Sequence, residues 1–149
     1  MKAVPEQLEN TTFIDIGSGM GRVVLLAARR PYKAVVGVEI SPTLHEVARD
    51  NLAQFEDEER RCHDIRLVCA DAADYRFPRG DLVVYLYNPF RAPVFELMLR
   101  HLLSQRREIT LLYHTPVERF SIEATEAFDL VDEWPNAAVF RRRSPKSDR

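Results

Sequence analysis

Several things are scarce in this sequence. Cys62 and Cys69 are the only two cysteines among 149 residues, too few for a disulfide framework and better suited to a reducing compartment than to secretion. Long apolar runs are missing: the longest, Val23 to Ala28 and Leu82 to Tyr87, are six residues each, which excludes a transmembrane helix. The opening Met1-Lys2-Ala3-Val4-Pro5 has no signal-peptide core. Charge of one sign is not in excess either. With 21 Lys and Arg against 23 Asp and Glu the net charge is −2, so no global basic field draws in nucleic acid. Cys62-His63 has no second ligand pair, which argues against a metal site. What is present, 46% hydrophobic and 30% charged residues, is a soluble globular composition. A chain of this length is one domain that buries roughly 70% of its unfolded surface. The expectation is a single cytoplasmic domain with no membrane association.

Short apolar strands and helical stretches alternate along the chain. Thr11 to Ile16 is an apolar run stopped by glycine, and Arg22 to Arg30 an apolar helix stopped by Pro31. Ala34 to Ile40 is a β-branched second strand; Ser41-Pro42 then supplies an N-cap and a first-turn proline. The helix so started runs to about Phe55, with Leu44, Val47, Ala48, Leu52 and Phe55 at helical spacing. Ile65 to Ala70 and Asp81 to Tyr87 read as the third and fourth strands, and Phe95, Met98, Leu99, Leu102 and Leu103 as one face of a helix. Ile109 to Tyr113 is a fifth strand, Val117 to Ala127 is poorly periodic, and Phe128 to Val131 with Ala137 to Phe140 form a hairpin around Glu133-Trp134-Pro135-Asn136. Arg141-Arg142-Arg143 and the residues to Arg149 read as a solvated tail, with the domain placed at 1–143 and disorder at 144–149. Alternation through the first five strands predicts a parallel sheet covered on both faces, closed by an antiparallel edge. In such sheets ligands bind outside the carboxyl ends of the strands.

The first strand ends in Asp15-Ile16-Gly17-Ser18-Gly19-Met20-Gly21-Arg22. Glycines there permit a tight turn and close approach of a ligand to the backbone. The spacing is Gly-x-Gly-x-Gly, and the position where a dinucleotide fingerprint wants its third small residue is Arg22. Glu39 ends the second strand 22 residues after Gly17, a separation at which an acid accepts from both ribose hydroxyls of a nucleoside. Ile40 can pack on an adenine face; at the third strand end, Asp71 can accept from the adenine amino group while the Ala72 backbone donates to the ring. Three acids at successive strand ends, with no lysine in the loop, make a poor phosphate site and suit a nucleoside carrying positive charge.

These motifs resemble those of class I S-adenosylmethionine-dependent methyltransferases. Phe13 to Arg22 is similar to the family's first motif, Val38-Glu39 to its ribose-binding acid, Asp71-Ala72 to its adenine-edge motif and Asn88-Pro89-Phe90 to its fourth motif. The resemblance runs from about Thr11 to Phe140. It implies an α/β, doubly wound, Rossmann-like sheet of seven strands in the order 3-2-1-4-5-7-6 with the seventh antiparallel. It also implies S-adenosyl-L-methionine as cofactor, held by Asp15, Gly17, Ser18, Gly19, Gly21, Glu39, Ile40, Asp71, Ala72 and Asn88. The Gly-Ser-Gly-x-Gly-Arg form is similar to that of Dot1-like and some bacterial lysine methyltransferases. The family usually carries a further N-terminal helical segment over the cofactor; only about ten residues precede the first strand here, so a partner chain, a homodimer contact, the substrate or a longer chain is expected to close the site.

Methyl transfer from a sulfonium is an in-line displacement in which alignment supplies on the order of 7–11 kcal/mol. Asn88-Pro89-Phe90 resembles the Asn-Pro-Pro-Tyr motif of amino-group methyltransferases with one proline fewer. The resemblance implies Asn88 and the Pro89 carbonyl as acceptors of the target N–H groups and Phe90 as a wall. A lysine target with pKa about 10.4 must first lose a proton, at a cost of about 4.6 kcal/mol at pH 7, for which His114 or Tyr113 are the available groups; an amide or adenine amino group needs no base. Asn88-Pro89 also reads as a simple turn, His114 as a structural hydrogen-bonding residue, and His45 and His63 as surface groups. A nitrogen acceptor is expected, on a protein, a small molecule or RNA. A nicotinamide-dependent oxidoreductase and a non-catalytic cofactor-binding subunit stand as alternatives.

Overall fold

The computed structural model describes residues 4–87 and 91–143, the side chain of Asp57 excepted. Seven strands form one sheet: β1 Thr11–Ile16, β2 Ala34–Glu39, β3 Ile65–Cys69, β4 Asp81–Tyr87, β5 Ile109–His114, β6 Phe128–Trp134 and β7 Ala137–Arg142. Their order is β3-β2-β1-β4-β5-β7-β6. The first five strands are parallel; β7 runs antiparallel to both β5 and β6. This is the topology that the resemblance implies.

Side chains alternate between the two faces of the sheet, and two apolar clusters result. On one face Ile14, Ile16, Val84, Leu86, Leu111, Tyr113 and Phe140 pack against α3 (Ala92–Leu103) and Ile122 of α4 (Arg119–Ala124). Helix α3 lies there because Phe95, Met98, Leu99 and Leu102 fall on one stripe, all at most 1% exposed; the Phe95 ring stacks on Tyr113 at 5.4 Å. On the other face Phe13, Val35 and Val83 pack against Val24 and Ala27 of α1 (Arg22–Ala27). Helix α2 (Pro42–Ala53) starts as its sequence dictates: the Ser41 hydroxyl accepts from the Leu44 N–H at 3.3 Å, with Pro42 in the first turn.

The structure departs from the sequence expectation in several places. Helix α1 stops at Ala27, short of Arg30, where Arg30 N–H already donates back to Ala27 in a tighter turn. No helix joins β3 to β4; residues 70–80 are turns and irregular backbone. The aperiodic stretch after β5 contains α4, whose one buried residue, Ile122, leaves no stripe to recognise. Arginines 141 and 142 are not tail: β7 continues through them because the Arg142 guanidinium donates to the Leu103, Gln105 and Arg107 carbonyls at and beyond the end of α3, which a helix leaves without partners. Strand β6 likewise runs on to Trp134. The expected tail, 144–149, lies outside the described residues.

Among the described residues no helix is long and apolar enough to cross a membrane, and no group of His, Cys, Asp and Glu could hold a metal ion. Both cysteines are free, Cys62 buried and Cys69 exposed.

Candidate cofactor and acceptor site

The loop between β1 and α1 is tied down atom by atom. Gly17 and Ser18 N–H both donate to the Val38 carbonyl, at 2.8 and 3.0 Å, and Gly21 N–H donates to the Ser18 carbonyl at 2.9 Å. The Asn51 carboxamide of α2 donates to the Met20 carbonyl at 3.0 Å. Gly17, Gly19 and Gly21 all have positive φ, at 78°, 55° and 86°, a region that suits glycine.

The three glycines that a side chain would test do different work. At Gly21 a Cβ would sit 3.2 Å from the Ala48 Cβ, so this glycine lets the loop rest on α2. At Gly19 a Cβ would meet nothing within 4 Å: its bare face opens onto space. Gly37, in the middle of β2, was not among the expected site residues. A Cβ there would lie 2.8 Å from Val24 and 2.9 Å from the Ser18 hydroxyl, so its absence lets α1 and the loop close onto the sheet. The signal was in the sequence, since a glycine inside a β-branched run marks a close approach.

Glu39 is where the loop and the second strand meet. Its Oε1 accepts from Gly19 N–H at 2.9 Å and its Oε2 from Ser41 N–H at 2.8 Å, with the residue 8% exposed. One carboxylate thus braces the loop against the start of α2. An ionised carboxylate offers about four lone-pair sites, so each oxygen keeps one for a ligand hydroxyl. Asp15 is 3% exposed, on the same face of the sheet. Its carboxyl accepts no hydrogen bond among the described residues. Burial, and secondarily the negative charge of Glu39, push its pKa up to about 7. Two buried acids beside an open glycine form a cradle for a cation.

The remaining expected residues are placed as follows. Ile40 is 63% exposed just past β2, and Ala72 is buried beyond β3. Asp71 closes a turn: its Oδ1 accepts from Ala73 N–H at 2.9 Å and its carbonyl from Asp74 N–H at 3.0 Å, which leaves Oδ2 for a ligand. Asn88, Pro89 and Phe90, the expected acceptor-contacting motif, lie outside the described residues. Just before them, Tyr87 is exposed and His114 pairs with it across β4 and β5, the rings 4.6 Å apart. Tyr113 points to the opposite face, buried, and its hydroxyl accepts from Glu118 N–H at 3.2 Å. Cavities of about 420 and 540 Å³ lie around Arg107, and none of these groups lines them.

The residues present fit a nucleoside that carries positive charge: acids at strand ends, a glycine with an open face, and no lysine in the loop. Comparison with known proteins agrees. A family model described as a methyltransferase domain matches residues 13–107. No curated protein matches in sequence. Among solved structures, the methyltransferase domain of a bacterial Hen1, CtHen1-CN, superposes with a TM-score of 0.65 at 13% identity, covering 92% of each chain. The glycopeptide N-methyltransferase MtfA gives 0.65 at 13% identity, over 90% of this chain and 89% of that one. The magnesium protoporphyrin IX methyltransferase ChlM of Synechocystis PCC 6803, solved with bound SAM, gives 0.60 at 16% identity, over 89% and 69%. At such identities these likenesses establish the fold.

Proposed function

We propose, for a chain that belongs to the methyltransferase domain family and whose cofactor is S-adenosylmethionine, that it transfers the methyl group to a nitrogen nucleophile. The observation that carries the cofactor end of the reading is the acid cradle: Glu39 and Asp15, both nine-tenths buried, beside the open face of Gly19. When bound, the cofactor supplies a methyl group on a sulfonium, with a neutral thioether as leaving group. The chain's own work is then to hold, orient and exclude water.

Glu39 uses the lone pairs its backbone donors leave free to accept the ribose hydroxyls. Asp15 and the Gly17-Ser18-Gly19-Met20-Gly21 loop receive the cationic amino-acid end, where an ammonium near Asp15 offsets the cost of ionising a buried carboxyl. Ile40 covers one face of the adenine, and the free Asp71 oxygen with the Ala72 backbone reads its edge. Asn88, the Pro89 carbonyl and Phe90 accept and wall the target nitrogen. That MtfA acts on nitrogen supports this choice of nucleophile. The protein is placed in the cytoplasm, with its open crevice closed by the substrate, a second copy or a partner chain.

The division of roles is testable. Glu39→Ala is expected to weaken S-adenosylhomocysteine binding at least tenfold, since it removes the ribose acceptors and the brace on Gly19. Asn88→Ala is expected to lower turnover with little change in that affinity. Equal loss of cofactor affinity in both variants overturns the assignment.

A further inference from the structure

The two cavities around Arg107 are a second place where charge is left unbalanced. The smaller, of about 420 Å³, lies between the β3–β4 connection and the end of α3, with Tyr75, Arg76, Phe77 and Ser104 in its lining. The larger, of about 540 Å³, lies where β4 and β5 begin, lined by Arg106, Arg142 and Arg143. Arg107 is the wall that the two share. Together they bring five arginines against three acids, Asp74, Asp81 and Glu108, in a chain whose net charge is −2.

These arginines are held in place without being neutralised. Arg142 spends its guanidinium on the carbonyls of Leu103, Gln105 and Arg107, at 3.3, 2.6 and 3.5 Å. Arg107 Nη1 donates to the Pro78 carbonyl. Its Nε is buried without a hydrogen bond, and its Nη2 has none among the described residues. A carbonyl satisfies an N–H but brings no counter-charge. Burial, and then the charge of Arg142, lower the pKa of Arg107, as expected of a cation short of an anion. Arg76 and Arg106 are exposed and have no partner among the described residues. Of the five, Arg143 is ion-paired, with Asp129 at 2.7 Å. The polar group at the end of β5 is different: there the Asn136 carboxamide nitrogen donates to His114 Nε2 at 3.3 Å, beside Tyr87, and pairs within itself.

The lining identifies the ligand class. A guanidinium fork matches phosphate oxygens two at a time, and arginines spread over adjoining cavities suit a ligand with more than one anionic group. The smaller cavity adds an aromatic wall, where Tyr75 meets Phe77 edge-on at 5.2 Å, and the Ser104 hydroxyl and Gln105 carboxamide for polar edges. Aromatic surface beside a track of cations is the pattern that binds single-stranded nucleic acid. An acidic peptide would use the arginines but not the aromatic wall, and a duplex keeps its bases stacked inside. We propose that these cavities bind a single strand of nucleic acid, with a base against Tyr75 in the smaller cavity and the flanking phosphates on Arg76, Arg107 and Arg106. None of the glycine loop, Glu39 or Asp71 lines either cavity, so this site stands independently of the cofactor reading.

Fluorescence anisotropy with labelled oligouridine and oligothymidine of about twelve nucleotides tests it. At about 50 mM salt the wild-type chain is expected to bind with a Kd on the order of 10 μM. The affinity is expected to fall with salt at a logarithmic slope of about −2, from about −0.7 for each of three phosphate contacts. Arg76→Ala/Arg106→Ala removes two exposed side chains that hold nothing in the fold; affinity is expected to fall at least tenfold and the slope to shrink to about −0.7. Arg30→Ala/Arg61→Ala removes the same charge from residues that line neither cavity and is expected to stay within about twofold. Tyr75→Leu is expected to weaken binding about tenfold with the salt slope unchanged, which a purely electrostatic patch would not show. Binding of RNA, of DNA or of both identifies the strand, and each supports the proposal. No binding of either strand, equal losses in the two arginine pairs, equally tight binding of a duplex, or displacement by polyglutamate as effective as by unlabelled strand overturns it.

Discussion

Asp15→Asn separates stability from binding at the cofactor site. The Asp15 carboxyl titrates at about 7 in the folded protein, because of burial and then the charge of Glu39, against an ordinary value of 3.8. A difference of about 3 units corresponds to about 4 kcal/mol favouring the protonated carboxyl in the fold. The sign follows from proton counting. Between about pH 4 and pH 7 the folded chain keeps a proton that the unfolded chain has lost, so Asp15 makes stability fall as pH rises through that window and level off above it. An asparagine has the shape of the protonated acid and cannot ionise. Allowing about 2 kcal/mol for a buried amide N–H₂ without a partner, the variant is expected to gain about 2 kcal/mol over wild type at about pH 8. Near pH 4 it has no such advantage. With a urea slope of about 2 kcal/mol per molar the midpoint moves up by about 1 M at the higher pH. On the proposed placement of the ligand's ammonium beside Asp15, the same variant is expected to bind S-adenosylhomocysteine more weakly. A difference between wild type and variant that is constant with pH, or a variant less stable at about pH 8, refutes the reasoning.

Two further predictions concern the same loop. A cation brought next to Asp15 lowers its pKa, so ligand binding near pH 7 is expected to release a fraction of a proton, read as a dependence of the calorimetric enthalpy on buffer ionisation; no such dependence contradicts the placement of the ammonium. Gly19→Ala and Gly21→Ala are expected to behave oppositely. The first costs about 1 kcal/mol of backbone strain but fills ligand space, so affinity falls at least tenfold with only a few degrees lost in Tm. The second pushes on Ala48 and costs about 2 kcal/mol, with affinity largely kept in the folded fraction.

How much of this was legible beforehand depends on the kind of signal. Runs such as Val83 to Leu86, the glycine cluster after Ile16 and the Ser41-Pro42 cap each carry their structural consequence locally, and with the family resemblance they point to the sheet and its order. Glu39 was legible as a candidate ligand residue but not as the brace it is, since Gly19 and Ser41 reach it only once the loop has folded. The end of β7 was misread because an arginine run looks solvated until α3 places carbonyls in front of Arg142. Helix α4 was hidden because Ile122 alone is buried in it. The grouping of Tyr87, His114 and Asn136 was invisible in the sequence, where they are spread over 50 positions; strand register alone brings them together.

The central claim is that the glycine-loop crevice holds a cationic S-adenosyl nucleoside and not a dinucleotide. Calorimetric titration with S-adenosylhomocysteine, with NAD as the control ligand, tests it most directly. The account predicts binding of S-adenosylhomocysteine with a Kd on the order of micromolar and no heat from NAD. Binding of NAD in preference, or of neither ligand, would contradict it.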